Sequence, residues 1–481
     1  MLFTSPVFLL LFLPVMLGAY TLTPVKFRPA AICIFSIAFY TLAHTGSPAS
    51  ILFLLLCAIF TYCATFAASI VRKSSVMIFV TVVLLGVLVV LRYLGVWADE
   101  DAARRFLPIG ASFYLLAAYS CITDVRRGDA PMPKSFLNVL TYVTYFPVMI
   151  AGPVIKYKDF EKLVKPENLH LSAAGVGSGV ILFARGFIKR VAIAAIFDEY
   201  YDSIIDNLLN FSNEPIGLDV GMMLSVLLLI SVYFAFSGYS DMGRGISAML
   251  GIPLSPDFGS CLLCHTPIIY YRNFMASLSS WIDDYIRVPL CGLLRIENRT
   301  GIQKRLFRTA IAVICSLALL SWFKIGLRML PACIVLLLPA IFNGLFDCDE
   351  WIKNHKFAIP FSWLGTLIVT TLFWMVIRTR NMQSLELIFG SFNFSMPMQS
   401  YLVNQTFFNL EFPLVLSLIF IVQLPMLCAL LFKKQPSPFV KLAPVRWIWS
   451  LFILGIFVLC IYYYLPQYPA LATEPFRDII F

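Results

Sequence analysis

Apolar runs long enough to cross a lipid bilayer recur along almost the whole chain, and no other feature constrains the fold as strongly. They lie near 5–20, 30–45, 49–70, 76–96, 136–151, 173–195, 220–237, 309–322, 329–346, 358–377, 411–432 and 446–465. A full crossing takes about 20 apolar residues, so the shorter runs read as tilted or re-entrant segments. Of 481 residues, 60% are hydrophobic and 13% charged, against about 25% charged in an ordinary soluble domain. The 36 Lys and Arg and 26 Asp and Glu cannot coat a globule of this size. A soluble enzyme, a disordered chain and a coiled coil are thereby excluded. The expected fold is all-α: one polytopic membrane domain over 1–481 with about 10–12 transmembrane helices.

The net charge of +10 has a membrane explanation. Lys156, Lys158, Lys162 and Lys165 crowd one loop, Arg295, Arg299, Lys304, Arg305 and Arg308 another, and Lys433, Lys434, Lys441 and Arg446 a third. The segment 197–219 holds Asp198, Glu199, Asp202, Asp206, Glu214 and Asp219 with no Lys or Arg. Positive loops stay cytoplasmic, so the basic loops are expected inside and the acidic segment outside. No basic stripe with interleaved aromatics points to nucleic acid. The first apolar run lacks a basic leader and an obvious cleavage site, and reads as a retained helix.

Most of the 12 cysteines sit within apolar runs, where a thiol behaves as a small hydrophobe, and no disulfide framework is expected. Cys261-Leu262-Leu263-Cys264-His265 matches the c-type haem attachment pattern, but no soluble haem-sized domain surrounds it, and it reads as a chance match.

Polar residues inside apolar stretches are costly, so their positions carry information. One cluster runs from Leu107 to Tyr114 and on to Asp124-Val125-Arg126-Arg127-Gly128. A second runs from Tyr145 to Phe160, where Pro147 and the Gly152-Pro153 pair should end a helix at membrane depth. A third, Phe236-Ser237-Gly238-Tyr239-Ser240-Asp241-Met242-Gly243, ends an apolar run on an acid. Gly, Ser and Ala in membrane helices usually serve close packing. Asp241 needs a partner or a wet cavity, and Arg244 at i+3 is the nearest candidate. A fourth stretch, Tyr270 to Leu290, mixes charges and aromatics at helical spacing. It is expected to lie along the interface or line a cavity, with Trp281 and Tyr285 on one face as an interfacial pair.

Together these runs resemble the membrane-bound O-acyltransferase family, in its bacterial branch of alginate O-acetylation and D-alanyl-lipoteichoic-acid proteins. The resemblance is carried by Leu-Pro-Ile-Gly-x-Ser-Phe-Tyr at 107–114 and Phe-Pro…Ala-Gly-Pro…Tyr-Lys-Asp-Phe at 146–160. Phe-Ser-Gly-Tyr-Ser-Asp-Met at 236–242 and Ser-Leu-Ser-x-Trp…Asp-Tyr…Pro-Leu at 277–290 complete it, in order, across about 105–325. The resemblance implies a many-helix fold around a tunnel in the cytoplasmic membrane. It also implies transfer of an acyl group from a cytoplasmic thioester to a hydroxyl at or beyond the outer face. The donor would be a coenzyme A ester or an acyl carrier protein, no cofactor would stay bound, and an extracytoplasmic acyltransferase partner would complete delivery to a glycan.

The departures bear directly on chemistry. The family carries a His just before the x-Ser-Leu-Ser run, where this chain has Met275, and a second His after a Trp, where it has Trp322-Phe323. Asp283 stands where an Arg usually precedes the Asp-Tyr pair. An alcohol attacking a thioester must shed its proton, and a positioned base contributes about 10²–10⁴-fold. Met and Phe can neither take that proton nor donate to the oxyanion. Lys324 could act as a substitute base if desolvated, or could snorkel to the interface. His265 could reach the same cavity if the chain doubles back, or could be a hydrogen-bonded loop residue. Asp241 could orient a donor. His44, His170 and His355 fall in no family position, and the last two look like surface residues. Two functions stay open: an active O-acyltransferase with a replacement base, and an inactive relative serving as scaffold or conduit for a partner.

Overall fold

The computed structural model describes residues 2–43, 48–71, 74–97, 108, 110–150, 152–211, 218–298, 301–320, 354–378, 411–432 and 443–467, with short helical pieces between 334 and 352. Every described element is a helix. Five helices there are long and apolar enough to cross a membrane: Val25–Ala43, Pro48–Ile70, Val220–Met249, Ile359–Arg378 and Pro444–Tyr463. The chain is an all-α polytopic membrane protein. The run expected over 329–346 is described only in part, and Arg299, Lys433, Lys434 and Lys441 lie outside the described residues.

In order, the N-terminal helices are α1 (Leu13–Leu22), α2 (Arg28–Ala43), α3 (Pro48–Ile70) and α4 (Ser74–Trp97). A helix absent from the apolar runs follows, α5 (Ala111–Arg127). Its polar residues Ser112, Ser120, Thr123 and Asp124 hid it from a hydropathy reading. Gly110 and Gly128, both at positive φ, bound it, and the Gly128 N–H closes the last turn on Val125.

The run at 136–151 breaks where Pro147 predicts. It gives α6 (Phe136–Val143) and the single turn α7 (Phe146–Met149), followed by α8 (Tyr157–Leu163) within the lysine-rich loop. The next run continues well past its apolar end. Ser172 caps α9 (Ala173–Ile188) by accepting the Gly175 N–H, a π-helical turn spans Lys189–Ala194, and α10 (Ala195–Phe211) carries the first acids of the acidic segment.

Beyond these come α11 (Leu218–Met249), α12 (Pro267–Asn273), α13 (Ala276–Ile282), a π turn over Asp283–Arg287, and α14 (Val288–Leu293). The remaining helices are α15 (Gly301–Leu320), α16 (Ile359–Arg378), α17 (Glu411–Phe432) and α18 (Ala443–Gln467).

Helix α11 is the central post. Of its apolar stretch, 72% of the residues are buried, against 17% in α18, which carries exposed apolar residues suited to lipid. It reaches 12 residues past the apolar run, because its polar end is covered by protein. Glycines set its contact with α9: a Cβ at Gly186 would stand 2.5 Å from the Gly238 carbonyl oxygen, and one at Gly245 would stand 2.6 Å from the Phe183 nitrogen. Small residues let helix backbones approach this closely.

Candidate functional site

The first and third motif segments close on the turn α7 of the second, and the fourth joins the second further along, at 154–158. Gly110 of the first, at φ 78°, lies where a Cβ would stand 2.5 Å from the Met149 carbonyl oxygen. Gly243, beside the third, lies where a Cβ would stand 2.2 Å from that of Pro147. Aromatic rings hold the turn from the other side, with Phe39 and Phe146 centroids 5.1 Å apart. The Tyr145 hydroxyl meets Ser247 Oγ at 2.6 Å, tying the second segment to α11. A small apolar hollow lies between the first two segments, lined by Phe113, Tyr114, Tyr142, Tyr145 and Met149 among others.

The fourth segment is fastened residue by residue. Phe274 closes α12, and the chain turns at Met275, which is buried with a left-handed backbone (φ 59°, ψ 60°). A non-glycine residue held there is strained, a state found most often at functional positions. Asp257 caps the start of α13 twice: its carbonyl accepts the Ala276 N–H at 2.8 Å and its carboxylate the Ser277 N–H at 2.7 Å. Burial raises the Asp257 carboxyl above the usual carboxylate range, against the hydrogen bond from Ser277. Ser277 Oγ in turn accepts the Val154 N–H at 2.8 Å, and Ser279 Oγ donates to the Tyr271 carbonyl at 3.0 Å. The serines of the Ser-Leu-Ser run therefore act as fasteners.

One turn further, Tyr285 closes a polar network under α5. Its hydroxyl meets Ser120 Oγ at 2.8 Å and donates to Asp124 at 2.7 Å. The Tyr157 and Lys158 N–H groups donate to Ser120 and Asp124. Trp281 packs against Tyr285 with ring centroids 4.9 Å apart, and both are buried, so they form a core pair where an interfacial pair was expected. Tyr285→Phe removes one hydroxyl from two buried partners and is expected to cost roughly 1–3 kcal/mol. A lowered thermal unfolding midpoint in detergent is the check.

Asp284 accepts from Lys156 Nζ at 2.7 Å and Lys158 Nζ at 2.9 Å. Although partial burial opposes it, these two lysines hold the Asp284 carboxyl below its ordinary range.

Asp241 is paired far more heavily than its i+3 neighbour predicts. Arg244 Nη1 approaches one carboxylate oxygen at 2.8 Å, while Arg185 Nη2 at 2.9 Å and Lys189 Nζ at 2.7 Å take the other. Both oxygens are committed, so Asp241 fixes three cations in place. Its neighbour Arg190 belongs to a second cluster, where Asp198 pairs with it and with Arg378 from α16.

His265 sits two residues before α12 and Met275 two residues after it, so a seven-residue helix about 10 Å long lies between them. The backbone carbonyl of His265 is held by Ser362 of α16. His170 is exposed, and His355 stacks on Trp351. Lys324, Phe323, Trp322 and His44 lie outside the described residues. The structure thus brings Met275 together with Asp257 and Ser277, and sets His265 at the opposite end of the helix.

Sequence reasoning passed over Asp257, Arg185 and Lys189. The last two carried a usable signal, being charges four residues apart inside the run 173–195. Asp257, in a loop, carried none.

The profile of the membrane-bound O-acyltransferase family matches residues 59–316. The chain is 29% identical to the probable alginate O-acetylase of Pseudomonas aeruginosa over 412 residues, covering 80% of this chain and 73% of that protein. It is 32% identical to the probable alginate O-acetylase of Azotobacter vinelandii, covering 61% and 60%. A more distant similarity, 24% identity over 60% and 57%, links it to the peptidoglycan O-acetyltransferase of Helicobacter pylori.

Proposed function

The chain belongs to the membrane-bound O-acyltransferase family, and from that premise we propose that it serves O-acylation of an exported polysaccharide or envelope glycan at the bacterial inner membrane. An acyl group, acetyl in the first instance, passes from a cytoplasmic thioester, a coenzyme A ester or an acyl carrier protein, to a glycan hydroxyl beyond the outer face. An extracytoplasmic acyltransferase partner assists delivery. In the transfer a C–O bond forms, the C–S bond breaks, and the hydroxyl proton must go to a base.

The observation that carries this reading is that the four motif segments are joined to one another, the first and third at α7 and the fourth to the second and first through Ser277 and Tyr285. The named activities of the relatives, on alginate and on peptidoglycan, support the class of acceptor.

One observation favours a second reading. Met275 occupies the strained turn where the resemblance expects an imidazole, and a thioether offers no proton chemistry. On that reading the protein is an inactive family member, a scaffold or conduit for its partner's chemistry.

The two readings separate in vesicles containing the full chain and its partner, with labelled acetyl thioester inside and acceptor glycan outside. Turnover in the wild type, abolished by His265→Ala or Lys324→Ala, supports an enzyme and identifies its replacement base. Absence of turnover, with acetylation appearing in the variant carrying both Met275→His and Phe323→His, supports the scaffold.

A further inference from the structure

We propose that Arg185, Lys189 and Arg244 form a buried binding site for a phosphate group. The proposal stands apart from the acyl-transfer reading, because it requires no acyl chemistry.

Charge is the first argument. Three cations converge on the single carboxylate of Asp241. Asp257 is the second acid whose charge Arg244 feels, and its carboxylate already accepts the Ser277 N–H. Three bases thus outnumber Asp241 by two, and Asp257 offsets at most one of these charges, so positive charge is left over among the described residues. Buried charges persist when paired, so the excess calls for an anion.

Unused donors are the second argument. Arg185 spends Nη2 on Asp241, while its buried Nε has no hydrogen-bond partner among the described residues. The Ser237 hydroxyl, on a residue 1% exposed, is likewise without one. Ser237 precedes Asp241 by four residues and so shares its face of α11. Two guanidinium groups, an ammonium and a hydroxyl can engage several oxygens of one tetrahedral anion, and the fork of arginine matches phosphate geometry.

Access is the third. The side chain of Arg185 is 22% exposed, while Lys189 and Asp241 are 6% and 7% exposed, so the cluster opens at Arg185. The phosphate could belong to a phospholipid headgroup or to a soluble phosphate ester.

The test uses the full chain, purified and delipidated in detergent. Probes are inorganic phosphate and short-chain phosphatidylglycerol, at constant ionic strength, read by equilibrium binding and by the shift of the unfolding midpoint. Arg185→Gln is expected to weaken binding about tenfold or more, and Ser237→Ala several-fold. Lys165→Gln, at an exposed lysine, should match the wild type. A response to inorganic phosphate assigns a soluble ester, and a response to phosphatidylglycerol alone assigns a headgroup. Ser237→Ala changes no charge, so it carries the test if Arg185→Gln fails to fold. Absence of saturable binding to either probe, or equal binding by the wild type and these variants, overturns the proposal.

Discussion

Asp241→Ala is expected to lower stability by about 3–5 kcal/mol, enough to cut the yield of monodisperse protein sharply. The loss comes from what stays behind. Arg185, Lys189 and Arg244 keep their charges, and the carboxylate that held all three within 2.9 Å is gone. They sit between α9 and α11, where Lys189 and Asp241 are only 6% and 7% exposed, so bulk solvent screens the remaining charges poorly. Asp284→Ala is the comparison. Asp284 also meets two lysines, but it is 31% exposed, and a pair open to solvent contributes about 0–1 kcal/mol. Thermal unfolding of both variants in one detergent measures the difference. Equal midpoints would show that burial does not set the worth of the Asp241 cluster.

The second large effect is steric. At Gly243→Ala the new methyl would stand 2.2 Å from the Pro147 carbonyl oxygen. That atom is backbone, in a turn held by Phe39 and Tyr145, so it cannot swing aside. Either α11 or α7 must move, at a cost of roughly 1–3 kcal/mol or more. Gly365→Ala in α16 meets nothing within 4 Å. Removing a helical glycine there should instead stabilise by about 0.5–1 kcal/mol. Opposite signs for two Gly→Ala changes in helices would establish close approach as the function of Gly243. A neutral Gly243→Ala would show that the motif segments are not locked together at α7.

The residues of the candidate site differ in how far they could be read from the chain. Pro147 announced the break between α6 and α7, because proline removes a donor and clashes with the preceding turn. Met275 was found as an anomaly within a motif. Its left-handed backbone and its double fastening through Asp257 were not foreseeable, since Asp257 is 18 positions earlier in an irregular loop. Helix α5 was missed because its buried face is polar: Ser120 and Asp124 serve Tyr285 and the chain at 157–158, and hydropathy counts such residues as solvent-facing. The acidic segment 197–219 was read by its charge alone, and only the structure places Asp198 in a helix, paired with Arg378 from α16.

What the amino-acid order determined alone was solvent and class. An apolar excess of this size belongs in a bilayer, and helices form there because each satisfies its own backbone. The order of the motifs likewise carried the family. Tertiary structure alone decided which charges meet. Arg185, Lys189 and Arg244 share Asp241 because α9 and α11 touch through glycines. Pairing depends on distance in space, and chain separation conveys that only within a turn or two of one helix.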